Sequence, residues 1–209
     1  MSSDEEVPDA WPPSGASFPT QTAPLFPLPK VFLYPQVVMP LHIFEPRYRQ
    51  MIDDLLDRRG WLVISPIRSG HESDQAGNPP VYPVAGLGEI VKHQRLPDDR
   101  YLITLAGLSR VHIKEVDSER LYRTVQFEPV TEVQPEESEE LSLRSALSEA
   151  ILERSDTFVS LPEDLPVGPL ADLLLQNLDL PVDTMSEVYA EPVVSRRAQF
   201  VLTEHRARG

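Results

Sequence analysis

Three lysines, five histidines and no cysteine bound the chemistry open to this chain of 209 residues. A Ser-Lys dyad needs a lysine of depressed pKa beside its serine. Lys30, Lys92 and Lys114 lie in strand-like runs with polar neighbours, and they read as parts of solvated faces. A helical zinc site needs two histidines at i and i+4, or a set of thiolates. His42, His71, His93, His112 and His205 offer no such pair, and His71-Glu72 lacks a second histidine. His93 and His112 could face each other across paired strands, although ordinary sheet positions are the default. A phosphate loop needs G-x-x-x-x-G-K-[ST], whose backbone amides cradle phosphate. No Gly-Lys pair occurs, and Gly86-x-Gly88 sits in a strand-like run without a third glycine. That pair suits a bulge or a close backbone approach. No catalytic, cofactor-binding or metal-ligating set emerges. The chain is expected not to be an enzyme, the alternative being a hydrolase with an unrecognised site.

Two other features carry more information. Phe26, Phe32, Tyr34, Met39 and Phe44 crowd into nineteen residues together with Pro27, Pro29, Pro35 and Pro40. Proline limits strand pairing, so part of this segment should sit at an edge or rim. Core packing is the default for each apolar residue there. An exposed part would form a docking surface, because contiguous apolar patches mark interaction sites. Tyr34, Met39 and Phe44 are the candidates. Arg110 is read either as a ligand contact or as a structural tie following Gly107, and the structural reading is preferred.

These residues need elements to hold them. Residues 1–23 are rich in Pro, Ser, Thr and acid, and are expected to be a disordered tail, with order beginning near Leu25. Residues 24–130 read mainly as strands. Tyr101, Ile103 and Leu105 alternate, as do Val125 and Phe127, and Pro97-Asp98-Asp99 is a plausible hairpin turn. Arg68–Pro80 has the composition of an exposed loop. One helix interrupts the strands. Tyr48, Met51, Ile52, Leu55 and Leu56 fall at helical spacing, with Pro46 at the first position, Gly60 as the stop, and Arg58 and Arg59 facing the negative end of the dipole. After Val130 the period changes to helical. Leu143, Leu147, Ala150 and Ile151 make one stripe, and Leu170, Leu173, Leu174 and Leu178 a second, with Pro169 at its start. Val194, Ala198, Val201, Leu202 and His205 make a third, opened by Pro192. A short helix near Thr184–Ala190 is also expected. Residues 131–140 read as an acidic linker to a helical unit at 141–209.

Charge and composition narrow the partners. The net charge is −14, and the stretches 1–23 and 131–140 together carry −9 of it. The body is therefore only mildly acidic, and nucleic-acid binding needs a basic stripe that is missing. The N-terminus lacks the basic and apolar regions of a secretory signal, and no apolar run approaches the ~20 residues of a membrane span. A reducing cytoplasm fits the absence of cysteine. Neither a membrane nor nucleic acid is expected as a partner, and no cofactor or metal.

Four segments, in order, resemble the N-terminal, substrate-binding domain family of Lon protease. LFPLPKVFLYPQVVMPLHIFEPRYRQMI (Leu25–Ile52) resembles its opening segment. VAGLGEI (Val84–Ile90) resembles its glycine-containing strand, although the usual G-T-x-A is here Gly86-Leu87-Gly88-Glu89. RYLITLAGLSRVHI (Arg100–Ile113) resembles its G-x-x-R hairpin, with Gly107 and Arg110 in the matching places. GPLADLLLQNLDLP (Gly168–Pro181) resembles its helical half. The resemblance covers roughly Pro24 to Arg208. It implies an α+β fold, a PUA-like pseudo-barrel with one inserted helix followed by a helical bundle. It also implies a stand-alone module without ATPase or protease domains that recognises unfolded or exposed polypeptide. An adaptor role toward a protease or chaperone would follow. An RNA-binding role, suggested only by the PUA-like architecture, is the further alternative.

Overall fold

A computed structural model describes residues 21–154, 161–162 and 164–208. The chain forms two compact units that divide after Val130.

The first unit is built on strands β1 (Gln21–Leu28), β2 (Val38–Ile43), β3 (Trp61–Pro66), β4 (Val84–Arg95), β5 (Tyr101–Val116) and β6 (Arg123–Pro129), with helix α1 (Pro46–Leu56) between β2 and β3. They form one sheet in the order β2-β5-β4-β3-β1-β6, and the second half of β5 also pairs with β6. Five strands therefore close into a barrel, while β2 hangs on the first half of β5. Apolar residues on alternate sides of the strands build two cores. Leu25, Val63, Leu87, Leu108, Val111, Val125 and Phe127 fill one. Phe26, Leu62, Ile64, Tyr101, Ile103 and Leu105 turn the other way and pack with Tyr48, Met51, Ile52 and Leu55 of α1. Strand β3 is buried on both faces for this reason.

Pro46 opens α1 as the sequence indicates, but the helix ends at Leu56 with Asp57 as its cap. Arg58 and Arg59 lie beyond its last turn, and Gly60, at φ 69°, leads into β3 instead of capping the helix. The β4–β5 turn is a three-residue loop, Pro97-Asp98-Asp99, closed by Leu96 N–H donating to Arg100 O at 2.8 Å, with Asp99 left-handed at φ 64°. Order begins earlier than Leu25. Gln21, Thr22 and Ala23 pair with Phe127, Gln126 and Val125, and Ala23 is buried. The rest of the expected tail lies outside the described residues. Strand β1 accommodates two prolines without being an edge strand. Gln21–Pro24 pairs only with β6, Phe26–Leu28 only with β3, and Leu25 with both, so Pro24 and Pro27 each have a neighbour on one side.

The second unit holds α2 (Glu137–Arg154), α3 (Val167–Gln176), α4 (Val182–Ala190) and α5 (Val194–Ala207). The acidic stretch does not remain a linker throughout. Glu137, Glu139 and Glu140 occupy the first turn of α2, where the positive end of the helix dipole favours them. Helix α3 starts two residues before Pro169, which is tolerated because the first N–H groups of a helix have no intrahelical partner. Pro192 stands two residues before the first residue of α5. Between the helices lies Arg197, 1% exposed. Its guanidinium lies 3.1 Å from Asp172 Oδ1, and it donates to Glu132 Oε1 at 3.0 Å and to the Glu191 carbonyl at 2.9 Å.

Candidate functional site

Strand β2 runs antiparallel to β5, with Val38 opposite Ala106, Pro40 opposite Thr104 and His42 opposite Leu102. Pleating sends Met39, Leu41 and Ile43 toward the core under α1 and leaves Val38, Pro40 and His42 exposed. Phe44 follows, 60% exposed, with its ring 5.9 Å from that of His42. Leu102 is also exposed, at 43%. These residues make an apolar strip on the outer face of the β2–β5 pair. Among the described residues the far side of β2 pairs with no strand, so the strip borders an open sheet edge.

The corner that carries Phe44 is held rigidly. Tyr101, paired with Ile43, donates its hydroxyl to Asp53 at 2.5 Å. Tyr122 donates to Asp54 at 2.8 Å, and Arg120 lies 3.1 Å from the same carboxylate. Both tyrosines thus fasten α1 to the sheet. Burial, followed by the hydrogen bond to Asp54, pushes the Tyr122 phenol up to about 12. A raised phenol contributes stability below pH 10 that is lost as pH rises through about 12. Alkaline titration of phenolate absorbance is expected to show a late step near pH 12 that Tyr122→Phe removes. A full titration complete near pH 10, unchanged by the substitution, would contradict the contact.

The residues singled out from the sequence fare differently. Phe44 is on the surface, Met39 is half-buried with its side chain packed on the core, and Tyr34 is interior at 2% exposure. Tyr34 is therefore withdrawn as a docking residue. It belongs to a strap, Phe32–Val37, that crosses β5. Gln36 N–H donates to Gly107 O and Gly107 N–H to Val37 O, both at 2.8 Å. Gly107 has no left-handed φ. It adjoins a bulge in which Leu108 is the extra residue opposite Leu87 and Gly88. What demands glycine is the strap, since a Cβ at Gly107 would stand 2.0 Å from the Tyr34 carbonyl oxygen. Arg110 is not a surface charge either. It is 2% exposed, with its guanidinium 5.7 Å from the centre of the Tyr34 ring. Tyr34, Gly107 and Arg110 thus form one structural unit that braces the strand from which the strip projects.

Leu102 was not singled out from the sequence, although a signal existed. It is an apolar residue in the outward phase of the Tyr101, Ile103, Leu105 alternation. His93 and His112 do not face each other. His93 pairs with Ile103 and His112 with Val84. Lys30 lies in a turn, at φ 57°, and not in a strand. Among the described residues no group of His, Asp or Glu is placed to hold a metal ion, and no helix is long and apolar enough to cross a membrane.

Comparison with known families decides what kind of domain carries this strip. The family model for the substrate-binding domain of ATP-dependent protease La (Lon) matches residues 22–204. The chain belongs to the Lon substrate-binding domain family. Relatives include Lon protease of Geobacter metallireducens, 31% identical over 77% of this chain and 20% of its own length. Lon protease 2 of Sorangium cellulosum is 29% identical over 79% of this chain and 22% of its own length. The chain therefore spans about a fifth of the curated relatives it matches. Two solved structures share the α+β fold: a Lon N-terminal domain protein from Xanthomonas campestris, with TM-score 0.63 at 18% identity over 88% of this chain and 98% of that one; and the N-terminal domain of a Mycobacterium avium complex Lon protease, with TM-score 0.63 at 14% identity over 89% and 98%.

Proposed function

We propose that this Lon-family domain is a non-catalytic module that recognises exposed stretches of unfolded polypeptide along β2. The observation that carries the reading is the coincidence of an open sheet edge with the strip Val38, Leu102 and Phe44 on one braced corner. An extended segment could pair with the backbone of β2 while its side chains meet Phe44 and the accessible part of Met39. This is strand addition, with aromatic and methionine contacts that adapt to many sequences. Pro40 lacks an N–H, so pairing would be interrupted there. An adaptor role, handing such segments to a protease or chaperone, is the physiological form of this proposal. The mildly acidic body gives no support to the RNA-binding alternative.

Serine replacements test the reading. Phe44→Ser is expected to weaken binding of the full chain to a permanently unfolded model polypeptide by about tenfold, as for removal of an anchor worth about 1.4 kcal/mol. Its melting temperature should stay almost unchanged. Met39→Ser should lose both some binding and some stability, since Met39 also packs on the core. Equal binding by the Phe44→Ser and unchanged proteins would remove Phe44 from the surface.

A further inference from the structure

The first unit also contains a cleft of about 360 Å³ that the apolar strip does not explain. It opens because the sheet splays. Parallel pairing of β1 with β3 begins only at Leu25 and Val63, so on that side Gln21–Pro24 has no strand neighbour. Those four residues form one wall, and Arg58, Arg59, Trp61, Arg120, Asp54 and Tyr122 line the rest. The size falls within the range of small-ligand sites, roughly 300–1,000 Å³.

The electrostatics of the lining run against those of the chain. Asp54 is already satisfied by Arg120 and by the Tyr122 hydroxyl. Two guanidinium groups remain, Arg58 and Arg59, neither in an ion pair among the described residues, in a protein of net charge −14. Arg59 lies over Trp61, its guanidinium 5.1 Å from the ring centroid, so an aromatic face holds its planar fork. A guanidinium fork binds a carboxylate through two parallel N–H donors. Gly60, at φ 69°, completes the turn that brings both arginines to the cleft mouth.

We propose that this cleft is a carboxylate-recognising subsite that takes a glutamate or aspartate side chain of the polypeptide segment docked along β2. The inference rests on the reading given under Proposed function and adds a charge preference to it. The geometry sets the spacing. Phe44 and Arg58 flank opposite ends of α1, so the helical rise separates them by about 20 Å. An extended chain covers that distance in about six residues. The favoured segment is therefore a short apolar stretch with acidic residues about six positions from its anchor.

The test uses three twelve-residue peptides with blocked termini and the same apolar core, flanked by Glu, by Ser or by Lys, titrated into the full chain at low ionic strength. The Glu-flanked peptide is expected to bind about fivefold more tightly than the Ser-flanked one, the scale of a partly exposed charge pair, and the Lys-flanked one more weakly than either. The Glu-to-Ser ratio should fall to about one in the Arg58→Ser/Arg59→Ser variant, invert in Arg58→Glu/Arg59→Glu, and shrink with added salt. If the Ser-flanked peptide binds and the Glu-flanked one gains nothing, or the gain survives the arginine replacements, the subsite is overturned while the apolar site stands. If no peptide binds, both fall.

Discussion

Replacing Gly107 by valine is expected to cost the first unit about 4 kcal/mol. A Cβ at this position would meet the Tyr34 carbonyl oxygen at 2.0 Å and its carbon at 2.9 Å. Both are backbone atoms, and the strap they belong to is fixed to Gly107 by two hydrogen bonds. Relief requires the strap to lift. Overpacking of this kind costs roughly 1–3 kcal/mol, and each lost backbone hydrogen bond about 1 kcal/mol more. Gly107→Ala should lose most of the same amount, because the first carbon already collides. Gly88→Ala is the informative contrast. There the Cβ would press on Leu105 Cγ and Leu33 Cδ2, both at 2.7 Å, while the nearest backbone atom, the Ala106 carbonyl oxygen, stands at 3.0 Å and not at 2.0 Å. These side-chain atoms can shift, so the cost should be nearer 1–2 kcal/mol. Arg110→Ala should cost less than Gly107→Val, since it removes packing on Tyr34 without moving backbone. Chemical denaturation followed by Trp61 fluorescence in a Trp11→Phe background would rank the four. A loss below 1 kcal/mol for Gly107→Val would contradict the strap.

The second large effect belongs to the helical unit. Arg197→Met is expected to destabilise it by about 3–4 kcal/mol, because it removes one partner of a buried ion pair, the guanidinium 3.1 Å from Asp172 Oδ1. The Glu191 carbonyl and Glu132 would lose their donor as well. Asp172→Leu added to Arg197→Met should recover at least half of the loss, since buried ion pairs exchange for apolar residues at little net cost. Thermal unfolding followed by helical circular dichroism measures both variants. A double variant no more stable than the single one would show that Asp172 is not the source of the penalty.

Periodicity made much of the architecture legible. Strand β5 spans Tyr101–Val116 and α1 begins at Pro46, because alternation, helical spacing and proline chemistry are local properties. Long-range approach is not local, and the misreadings follow from that. Tyr34 looked like a rim aromatic because nothing near it in sequence shows that its strap crosses Gly107. Arg110 was read as a structural tie after Gly107, but the ring it packs on comes from a chain segment seventy-odd residues away. Gly107 matched a motif position, but the steric reason for glycine there, the crossing strap, lies in no neighbouring residue. Arg58 and Arg59 read as partners of a helix dipole, whereas the helix stops at Leu56 and frees them to line a cleft. Arg197 did leave a trace. It falls within the apolar stripe of Val194, Ala198 and Val201, and a lone arginine on such a face signals a buried pair. The strip was half legible. Phe44 was flagged for its proline-rich setting; the outward phase of Leu102 was legible in the alternation, but its place opposite His42 required the register of β5 against β2.

The most direct test of the account is where an unfolded polypeptide touches the domain. Uniformly labelled full chain, titrated with a soluble, permanently unfolded polypeptide and no nucleotide, should show amide shift changes concentrated at Val38–Phe44 and across the ladder at Tyr101–Thr104. Changes centred on the loop Arg68–Pro80 or on the helical unit, or no changes at all, would contradict recognition along β2.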